Sequence, residues 1–374
     1  MDERILAERL ITYDTSTAEG LRSAAGFVKG WLESQGIAVE DRSYAKLPVV
    51  LADVGARSGP TVVLHGHLDV VPGREGQFEP RVEGDRLIGR GAYDMKGALA
   101  VLMCTVSDVA AQHAVRVRFV CVPDEESEDV EDRSTDALVR DGLRGDFALT
   151  GEPTDLHIGI QAKGVLAARV EVVGTAAHGS TPWLGDNAIL KAYDAFRRIE
   201  TLPFSRESSD LFDRPSINLA RIVGGDAFNK VPDACSMDVD IRFLPNQDEG
   251  EILAQIRAIP DVRIVKTFTR APAIVSRSNP YVLALREAVG RTTDDSVLSI
   301  GRDGASDVNS FLDAGVPAVE FGPIGGGHHG PHEWVSIASL RRYRQALGAF
   351  VHGLPAWLER VESPSLRAVE GGLA

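Results

Sequence analysis

The sequence predicts an α/β protein in which a mostly parallel sheet is flanked by helices and a ferredoxin-like α+β domain is inserted into the chain. Helix and strand patterns alternate over the first third, which is typical of a parallel sheet covered by helices. From about residue 163 the order becomes β-α-β-β-α-β, which is the split ferredoxin-like unit. The alternation resumes after residue 279. We therefore expect segments at 1–162, 163–274 and 275–374, the first and last forming one discontinuous domain.

The elements of the first part rest on separate patterns. A helix over 18–35 ends at Gly36, a residue that often closes helices because it readily adopts the left-handed conformation. The apolar run at 61–64 predicts a buried strand, and VRVRFVCV predicts another over 115–122. The strongly apolar segment between them predicts a helix over 95–112.

The same signals predict the remaining elements. Within the insert they indicate helices at 187–202 and 248–259 and strands at 165–173, 216–223, 234–243 and 262–268. After the insert they indicate strands at 297–300 and 318–321 and helices at 281–290, at 307–313 and from Ile337 onward. In parallel sheets ligands bind beyond the carboxyl ends of the strands, so we expect the chemistry there.

Composition and charge exclude several classes of function. The chain has 374 residues with 40 basic and 54 acidic side chains and a formal charge of −14, so a basic nucleic-acid-binding surface is excluded. The longest apolar stretch, 98–106, is far shorter than the ~20 residues that a membrane span needs. The charged start MDERILAERL lacks the apolar core of a secretory signal, so we expect a cytoplasmic protein. Cys104, Cys121 and Cys235 lie in apolar or strand-like runs, which favours buried free thiols.

The motif HGHLD directly follows the apolar strand TVVL. A histidine at a strand end can bind a metal while a carboxylate two residues later, on the same face, orients the ring through its second nitrogen. We assign these roles to His67 and Asp69. A histidine-rich turn without a ligand is the alternative that this motif alone leaves open.

The motif GRGAYDMKG precedes the apolar helix, so Asp94 is predicted near the helix N-terminus. An N-cap is the alternative role for an aspartate there. The flanking glycines allow the backbone to approach a ligand closely, and a carboxylate at this position can bridge two cations.

Further strand ends carry acidic or imidazole side chains. Glu125 and Glu126 follow the strand VRVRFVCV. Because adjacent side chains at a strand end point to opposite sides, one can bind a metal while the other faces a bound water as general base. Glu152 follows the strand FALT, and the pair His328 and His329 follows AVEF.

Five strand ends therefore offer His, Asp, Glu, Glu and His at one edge of the predicted sheet. Oxygen and imidazole ligands without a thiolate, one of them able to bridge, suit a pair of zinc ions with open positions for water. The sequence therefore predicts a metal-assisted hydrolase.

In these motifs the chain resembles the co-catalytic zinc amidohydrolases, which include aminoacylase, acetylornithine deacetylase, succinyl-diaminopimelate desuccinylase and glutamate carboxypeptidase. The resemblance covers nearly the whole chain in order, through HGHLDVVP, GRGAYDMKGALA, DEE, TGEPTD and GPIGGGHHGPHEWV. It implies two zinc ions per subunit, for which Co²⁺ or Mn²⁺ can substitute. By this resemblance His67 and Glu152 hold one ion, Glu126 and His329 hold the other, Asp94 bridges both, Glu125 is the general base and Asp69 supports His67. The spacing back from EWV selects His329 over His328.

The resemblance also implies roles for the insert, which matches the family's lid and homodimerisation domain. His178 in GTAAHGS would reach the partner subunit's active site and stabilise the developing oxyanion. Asn229 in GGDAFNKVP and Arg242 in DVDIRFLP would hold the substrate carboxylate. Gly304 and Ser306 would contact the substrate. Without the resemblance, His178 reads as a surface histidine and Arg242 as one partner of an ion pair on a strand face.

Two departures from the family's pattern bear on specificity. Relatives usually place glycines after the paired glutamates, whereas here the acidic run 127–132, which we interpret as solvated surface, follows them. Desuccinylases carry an arginine pair near Lys163, where this chain has Ala162–Lys163, and this weakens a succinyl specificity.

We therefore predict a homodimeric di-zinc hydrolase that cleaves the amide bond of a small N-acyl amino acid or peptide by metal-activated water. No nucleic-acid or membrane partner is expected. A dipeptidase or carboxypeptidase is the alternative among enzymes, and a non-catalytic binding protein of the same fold is the alternative outside them.

Overall fold

A computed structural model describes residues 2–127, 133–292 and 296–362. The described residues divide into two compact units. The smaller unit comprises Gln161–Ile274 and Gly301–Ala305, and the larger unit comprises the rest, so both are discontinuous along the chain. The acidic run interpreted as solvated surface lies, from residue 128 to residue 132, outside the described residues.

The elements are numbered in chain order. Helices α1 to α9 span Glu3–Ile11, Ala18–Ser34, Gly97–Asp108, Ser134–Arg140, Ala188–Ile199, Glu249–Arg257, Pro280–Gly290, Val308–Asp313 and Ile337–Glu362. Strands β1 to β17 span Val39–Tyr44, Leu47–Gly55, Thr61–His67, Arg81–Glu83, Arg86–Ile88, Arg116–Val122, Phe147–Thr150, Ile158–Ala162, Gly164–Val173, Ser216–Gly224, Ala234–Phe243, Val262–Arg270, Ala273–Ile274, Ser299–Arg302, Ala318–Glu320, Gly325–Gly326 and Trp334–Ser336.

The central sheet of the larger unit has a parallel centre and antiparallel margins. The neighbouring strands β6, β3, β7 and β15 are parallel, in that order. On one side β2 and then β1 continue the sheet in antiparallel pairing, and on the other β8 pairs with β15 antiparallel. The predicted α/β class with a mostly parallel sheet is confirmed. The parallel centre places the carboxyl ends of four neighbouring strands at one edge.

Helix α3 and a small sheet position the loops at this edge. The residues of α3 from Gly97 to Val106 are all buried, as expected for a helix that is apolar on every side. It packs against α1, α9 and the central strand β3. A separate sheet with the order β16-β17-β5-β4 pairs Trp334 with Ile88 and Val335 with Leu87. This pairing joins two segments that are far apart in sequence.

The smaller unit is a four-stranded antiparallel sheet with the order β10-β11-β9-β12. In chain order its elements are β9, α5, β10, β11, α6 and β12, so the predicted ferredoxin-like unit is present. Alternate residues of β9, such as Leu166 and Val170, pack with Ala192 of α5 and Ile256 of α6 in one core. Strand β10 is at an edge of this sheet.

Two predictions made from composition concern membrane spans and thiols. Among the described helices, none combines the length and apolar character needed to cross a membrane. Cys104, Cys121 and Cys235 are all buried, and none forms a disulfide among the described residues, as predicted.

Candidate metal centre

The predicted metal ligands lie at or near the carboxyl ends of the parallel strands. His67 is the last residue of β3, Glu126 follows β6, and Glu152 follows β7. Because β6, β3 and β7 are adjacent and parallel, their ends bring these three side chains to one place. The sheet topology thus explains why residues distant in sequence share one site.

Asp94 and His329 reach the site by other routes. Asp94 lies in the short irregular turn Ala92–Lys96, directly before α3, and its peptide bond to Met95 is cis. The prediction that all five ligands lie at strand ends is therefore wrong for Asp94, because the chain between β5 and α3 forms a turn rather than a strand. His329 lies in the loop between β16 and β17.

The two carboxylate oxygens of Asp94 face different histidines. Oδ1 lies 3.1 Å from Nε2 of His67, and Oδ2 lies 3.4 Å from Nε2 of His329. Glu152 Oε1 is 3.9 Å from His67 Nε2, and Glu126 Oε1 is 2.7 Å from His329 Nε2. The five side chains therefore form two groups that share Asp94.

The neighbouring histidine does not enter this cluster. The ring of His328 lies against Tyr93, with ring centroids 6.0 Å apart, whereas His329 contacts both Asp94 and Glu126. The structure therefore brings His329, and not His328, to the other predicted ligands.

The pKa values of three side chains in the cluster are raised, because the cluster contains more carboxylates than positively charged groups. Hydrogen bonds with Asp94 and Glu126 raise the pKa of His329 to about 10. Burial opposes the charged form of His67, but hydrogen bonds with Asp69 and Asp94 raise its pKa well above its usual value. Burial, with the nearby carboxylate of Asp94, raises the pKa of Glu152 well above its usual value. A divalent cation would supply the positive charge that these protons supply in its absence.

The residues present fit a metal. Ligand atoms of His67, Asp94 and Glu126 all lie within 4.8 Å of one another. Glu152 is buried, and its Oε1 has no hydrogen-bond partner among the described residues, an arrangement that is costly unless a ligand satisfies the oxygen. Imidazole nitrogens and carboxylate oxygens without thiolate are donors suited to zinc, cobalt or manganese.

Asp69 connects two of the segments at this edge. Nδ1 of His67 lies 3.0 Å from the backbone oxygen of Asp69 and 3.4 Å from its carboxylate. The same carboxylate accepts hydrogen bonds from the backbone N–H groups of Glu125, at 3.2 Å, and Glu126, at 2.7 Å. Asp69 therefore lies beside the second nitrogen of His67, with its backbone oxygen nearer than its carboxylate, and the carboxylate binds the backbone of the two glutamates, which the sequence did not predict.

Glu125 belongs to a largely buried polar network. Its Oε1 accepts a hydrogen bond from Arg133 at 2.8 Å, and Arg133 also contacts Asp307 at 3.3 Å. Asp307 in turn contacts Thr135 and the fully buried His65. Burial raises the pKa of Glu125 to about 8, although Arg133 opposes this shift. A carboxyl group with such a pKa can both accept and release a proton near neutral pH.

The predicted residues of the insert form a local arrangement in the smaller unit. His178 is exposed and pairs through its backbone with Lys230, and the N–H of Gly179 donates to the backbone oxygen of Asn229 at 2.7 Å. The segments that carry His178 and Asn229 are therefore neighbours. Nε of Arg242 donates to both carboxylate oxygens of Asp240 at 3.1 Å, which is the strand-face ion pair considered from sequence.

Gly304 and Ser306 lie in the segment after β14. An added Cβ at Gly304 would meet no atom within 4 Å among the described residues, so this backbone is open. Ser306 is buried, and its hydroxyl donates to Glu320 at 2.7 Å. The hydroxyl predicted to contact substrate is therefore already hydrogen-bonded within the protein.

Sequence reasoning missed two buried residues that support the site, Glu333 and Arg90. Their side chains form an ion pair at 2.9 Å, and Glu333 accepts the backbone N–H of Asp94 at 3.0 Å. Both residues stand inside motifs that the sequence comparison singled out, GRGAYD and HEWV. Their presence within those motifs was the signal that could have identified them.

Comparison with known proteins identifies the family. The model of peptidase family M20/M25/M40 matches residues 63–353. The chain is 34% identical over 287 residues to a putative succinyl-diaminopimelate desuccinylase of Mycobacterium tuberculosis, covering 73% of this chain and 77% of that protein. It is 28% identical over 365 residues to the succinyl-diaminopimelate desuccinylase of Acidiphilium cryptum, covering 92% of this chain and 95% of that protein.

The fold is also found among solved structures. The M20 family metallo-carboxypeptidase of Sulfolobus solfataricus superimposes on this chain with a TM-score of 0.75 at 17% identity. The match covers 95% of this chain and 100% of that protein. The family and these relatives support a metallohydrolase that acts on amide bonds. The chain belongs to peptidase family M20/M25/M40.

Proposed function

We propose that the protein is a di-zinc hydrolase that cleaves the amide bond of an N-acyl amino acid. The observation that carries this proposal is the position of Asp94, whose two oxygens face His67 and His329 separately. A carboxylate placed in this way can serve two cations at once, which is the arrangement of two-metal hydrolases.

The residues that would hold the metals follow from the two groups. His67 and Glu152 would hold one ion, Glu126 and His329 the other, and Asp94 both. Metals bound there would lower the pKa of a water and polarise the scissile carbonyl group. Zinc is the proposed ion because of the mixed imidazole and carboxylate donors, and Co²⁺ or Mn²⁺ could substitute.

Glu125 is the proposed general base. Its carboxylate is directed to Arg133 rather than to a ligand, so it is free of the metal-binding role that we assign to Glu126. It would accept the proton of the attacking water and then deliver that proton to the nitrogen of the leaving amine.

The metal assignment predicts the stoichiometry. The purified chain loaded with Zn²⁺ should contain about two zinc ions, and Asp94→Ala should lose both, because Asp94 serves the two groups together. Elemental analysis after removal of free zinc measures this. A loaded wild-type chain with one ion, or an Asp94→Ala chain that keeps two, would contradict the assignment.

The substrate class rests on the relatives and on the insert. Both curated relatives reported above carry a desuccinylase name, which denotes cleavage of an acyl amide on an amino acid. In this chain Lys163 replaces part of the arginine pair and is tied to Asp303 at 2.7 Å, so we propose an acyl group other than succinyl. Turnover of acetyl, succinyl and longer acyl amino acids, compared with that of dipeptides, tests this. Faster cleavage of dipeptides would favour a peptidase, and zinc loading without any hydrolysis would favour a non-catalytic binding protein.

The substrate carboxylate is proposed to bind Arg242, together with Asn229 and the segment of Gly304 and Ser306. Arg242 uses Nε for Asp240, and its two terminal nitrogens, which have no hydrogen-bond partner in the part of the chain that the structure describes, would form a bidentate contact with a carboxylate.

Arg242→Lys should lower kcat/KM by about 10- to 100-fold for substrates with a free carboxylate, because lysine keeps the charge but not the planar fork. The same substrate as a methyl ester is the control and should respond little. Equal losses with the acid and the ester would show that Arg242 acts only through its contact with Asp240.

The homodimer is proposed to form through the smaller unit. Strand β10 lies at the edge of its sheet, and an unpaired edge strand is a ready surface for pairing. Large apolar side chains are exposed nearby, with Leu190 and Tyr193 on α5 and Ile222 and Val223 on β10. Pairing about a two-fold axis would cover this surface.

A further inference from the structure

The buried carboxylate of Glu333 lies between the two loops that carry Asp94 and His329. Glu333 is 2% exposed, and its ion-pair partner Arg90 is 3% exposed. A carboxylate removed from water to this extent is costly unless its oxygens are fully hydrogen-bonded. The arrangement of its donors therefore indicates what the group holds in place.

Four donors meet the two oxygens of Glu333. Oε2 accepts hydrogen bonds from Arg90 Nη1 and from the backbone N–H of Gly91, both at 2.9 Å. Oε1 accepts hydrogen bonds from the backbone N–H groups of Tyr93 and Asp94, both at 3.0 Å. One side chain thus accepts hydrogen bonds from three backbone N–H groups, two in the turn Ala92–Lys96 and one at Gly91 directly before it.

The backbone of this segment is satisfied only in part from within, since the N–H of Ala92 donates to Gly89 and that of Lys96 to Gly91, whereas the N–H groups bound by Glu333 point to that side chain. Gly91 is left-handed, with φ of 78°, and Asp94 has φ of −122° and ψ of 95°, which is not helical. A turn of this shape needs acceptors from elsewhere for its remaining N–H groups. Glu333 supplies them, so its position determines where the Asp94 carboxylate lies.

The ion pair of Glu333 and Arg90 also contacts the loop that carries His329. Arg90 Nη2 donates to the backbone oxygen of His329 at 3.2 Å. His329 has φ of 60°, a left-handed conformation that is unfavourable for a residue other than glycine. Contacts that hold this backbone therefore matter for the direction of the imidazole.

The small sheet aligns these contacts. Strands β5 and β17 pair Ile88 with Trp334, and the N–H of Gly89 donates to the backbone oxygen of Glu333 at 3.0 Å. The Asp94 turn and the His329 loop leave this sheet side by side, with Glu333 between them.

We propose that Glu333, through its ion pair with Arg90, is the positioning residue that holds Asp94 and His329 at the spacing a metal pair requires. This inference rests on the proposed metal site. Glu333 itself need not touch the metals or the substrate. Its effect is carried by backbone hydrogen bonds to one ligand and, through Arg90, to another.

Glu333→Gln tests the proposal with little change of shape. The amide presents one oxygen and one NH₂ group to four donors, so the donors that face the NH₂ group lose their acceptor. We expect the zinc dissociation constant to rise about 10- to 100-fold and the absorption spectrum of bound Co²⁺ to change. The readouts are titration with Zn²⁺ against a chromophoric chelator and the Co²⁺ spectrum, neither of which requires turnover.

Glu3→Gln is the matched control. Glu3 is also a buried glutamate, 5% exposed, and its ion-pair partner is Arg344 at 2.7 Å, which is not one of the proposed ligands or their supporting residues. Both variants should change the unfolding temperature of the metal-free protein, but only Glu333→Gln should change zinc affinity. Wild-type zinc affinity and an unchanged Co²⁺ spectrum in Glu333→Gln would overturn the proposal.

Arg90→Lys keeps the proposal testable should Glu333→Gln fail to fold. Lysine retains a cation for Glu333 but cannot also reach the backbone oxygen of His329. It should weaken chiefly one of the two zinc steps, that of the ion assigned to Glu126 and His329, and equal weakening of both steps or of neither would count against the proposal. If the wild-type chain bound no Zn²⁺, the metal site itself would fail. Absence of hydrolysis with normal zinc binding would overturn only the proposed activity.

Discussion

Replacing Glu125 by alanine should lower kcat by several orders of magnitude and leave the zinc content nearly unchanged. Positioned general bases contribute about 10²- to 10⁴-fold, and here the same group is proposed to handle both proton transfers. The nearest partner of Glu125 is Arg133 at 2.8 Å, whereas the adjacent Glu126 contacts His329. The substitution therefore removes the base without removing a ligand.

Glu126→Ala provides the matched comparison. It changes a neighbouring residue of the same type, but it should lose one zinc ion together with activity. Kinetics and elemental analysis on both variants separate the two roles. Loss of zinc in Glu125→Ala and its retention in Glu126→Ala would mean that the roles of the two glutamates are exchanged.

The grouping of these residues could be predicted from sequence because of the parallel strands. Each of His67, Glu126 and Glu152 follows or ends an apolar run, and parallel strands direct all such ends to one edge. The antiparallel margin formed by β1 and β2 was not predicted, since β1 has the polar sequence VEDRSY and contains no apolar run that would mark a strand. Nor was α1 predicted, although its buried Leu6 and Leu10 have helical spacing.

The supporting contacts could not be predicted in the same way. Glu333 meets Asp94 only because β5 pairs with β17, and pairing between short strands so far apart leaves no local pattern. Likewise, Arg133 and Glu125 are separated by an acidic segment, and their contact depends on the tertiary structure. From sequence, the acidic segment indicates only a solvated surface. Local patterns thus identify the ligands, whereas the residues that orient them depend on tertiary structure.

His178→Ala should lower kcat by about 10²- to 10³-fold, the usual effect of losing one oxyanion donor, with zinc content unchanged. The N–H of Ser180 donates to His178 Nδ1 at 3.1 Å, so Nδ1 is the acceptor of the ring. In the neutral imidazole the proton then lies on Nε2, which is the form needed to donate to an oxyanion. The side chain of His178 is exposed in a loop of the smaller unit. This exposure favours a contact with a group on a partner subunit.

Complementation shows whether that action crosses the dimer. When a His178→Ala chain is mixed with a Glu125→Ala chain, each mixed dimer should contain one complete site, with Glu125 from the first chain and His178 from the second. Free exchange makes about half of the dimers mixed, so the mixture should recover up to about a quarter of wild-type activity. The unmixed variants are the controls, and light scattering with differently tagged chains establishes exchange. No recovery despite proven exchange, or a fully active monomer, would show that His178 acts within its own chain or has no part in catalysis.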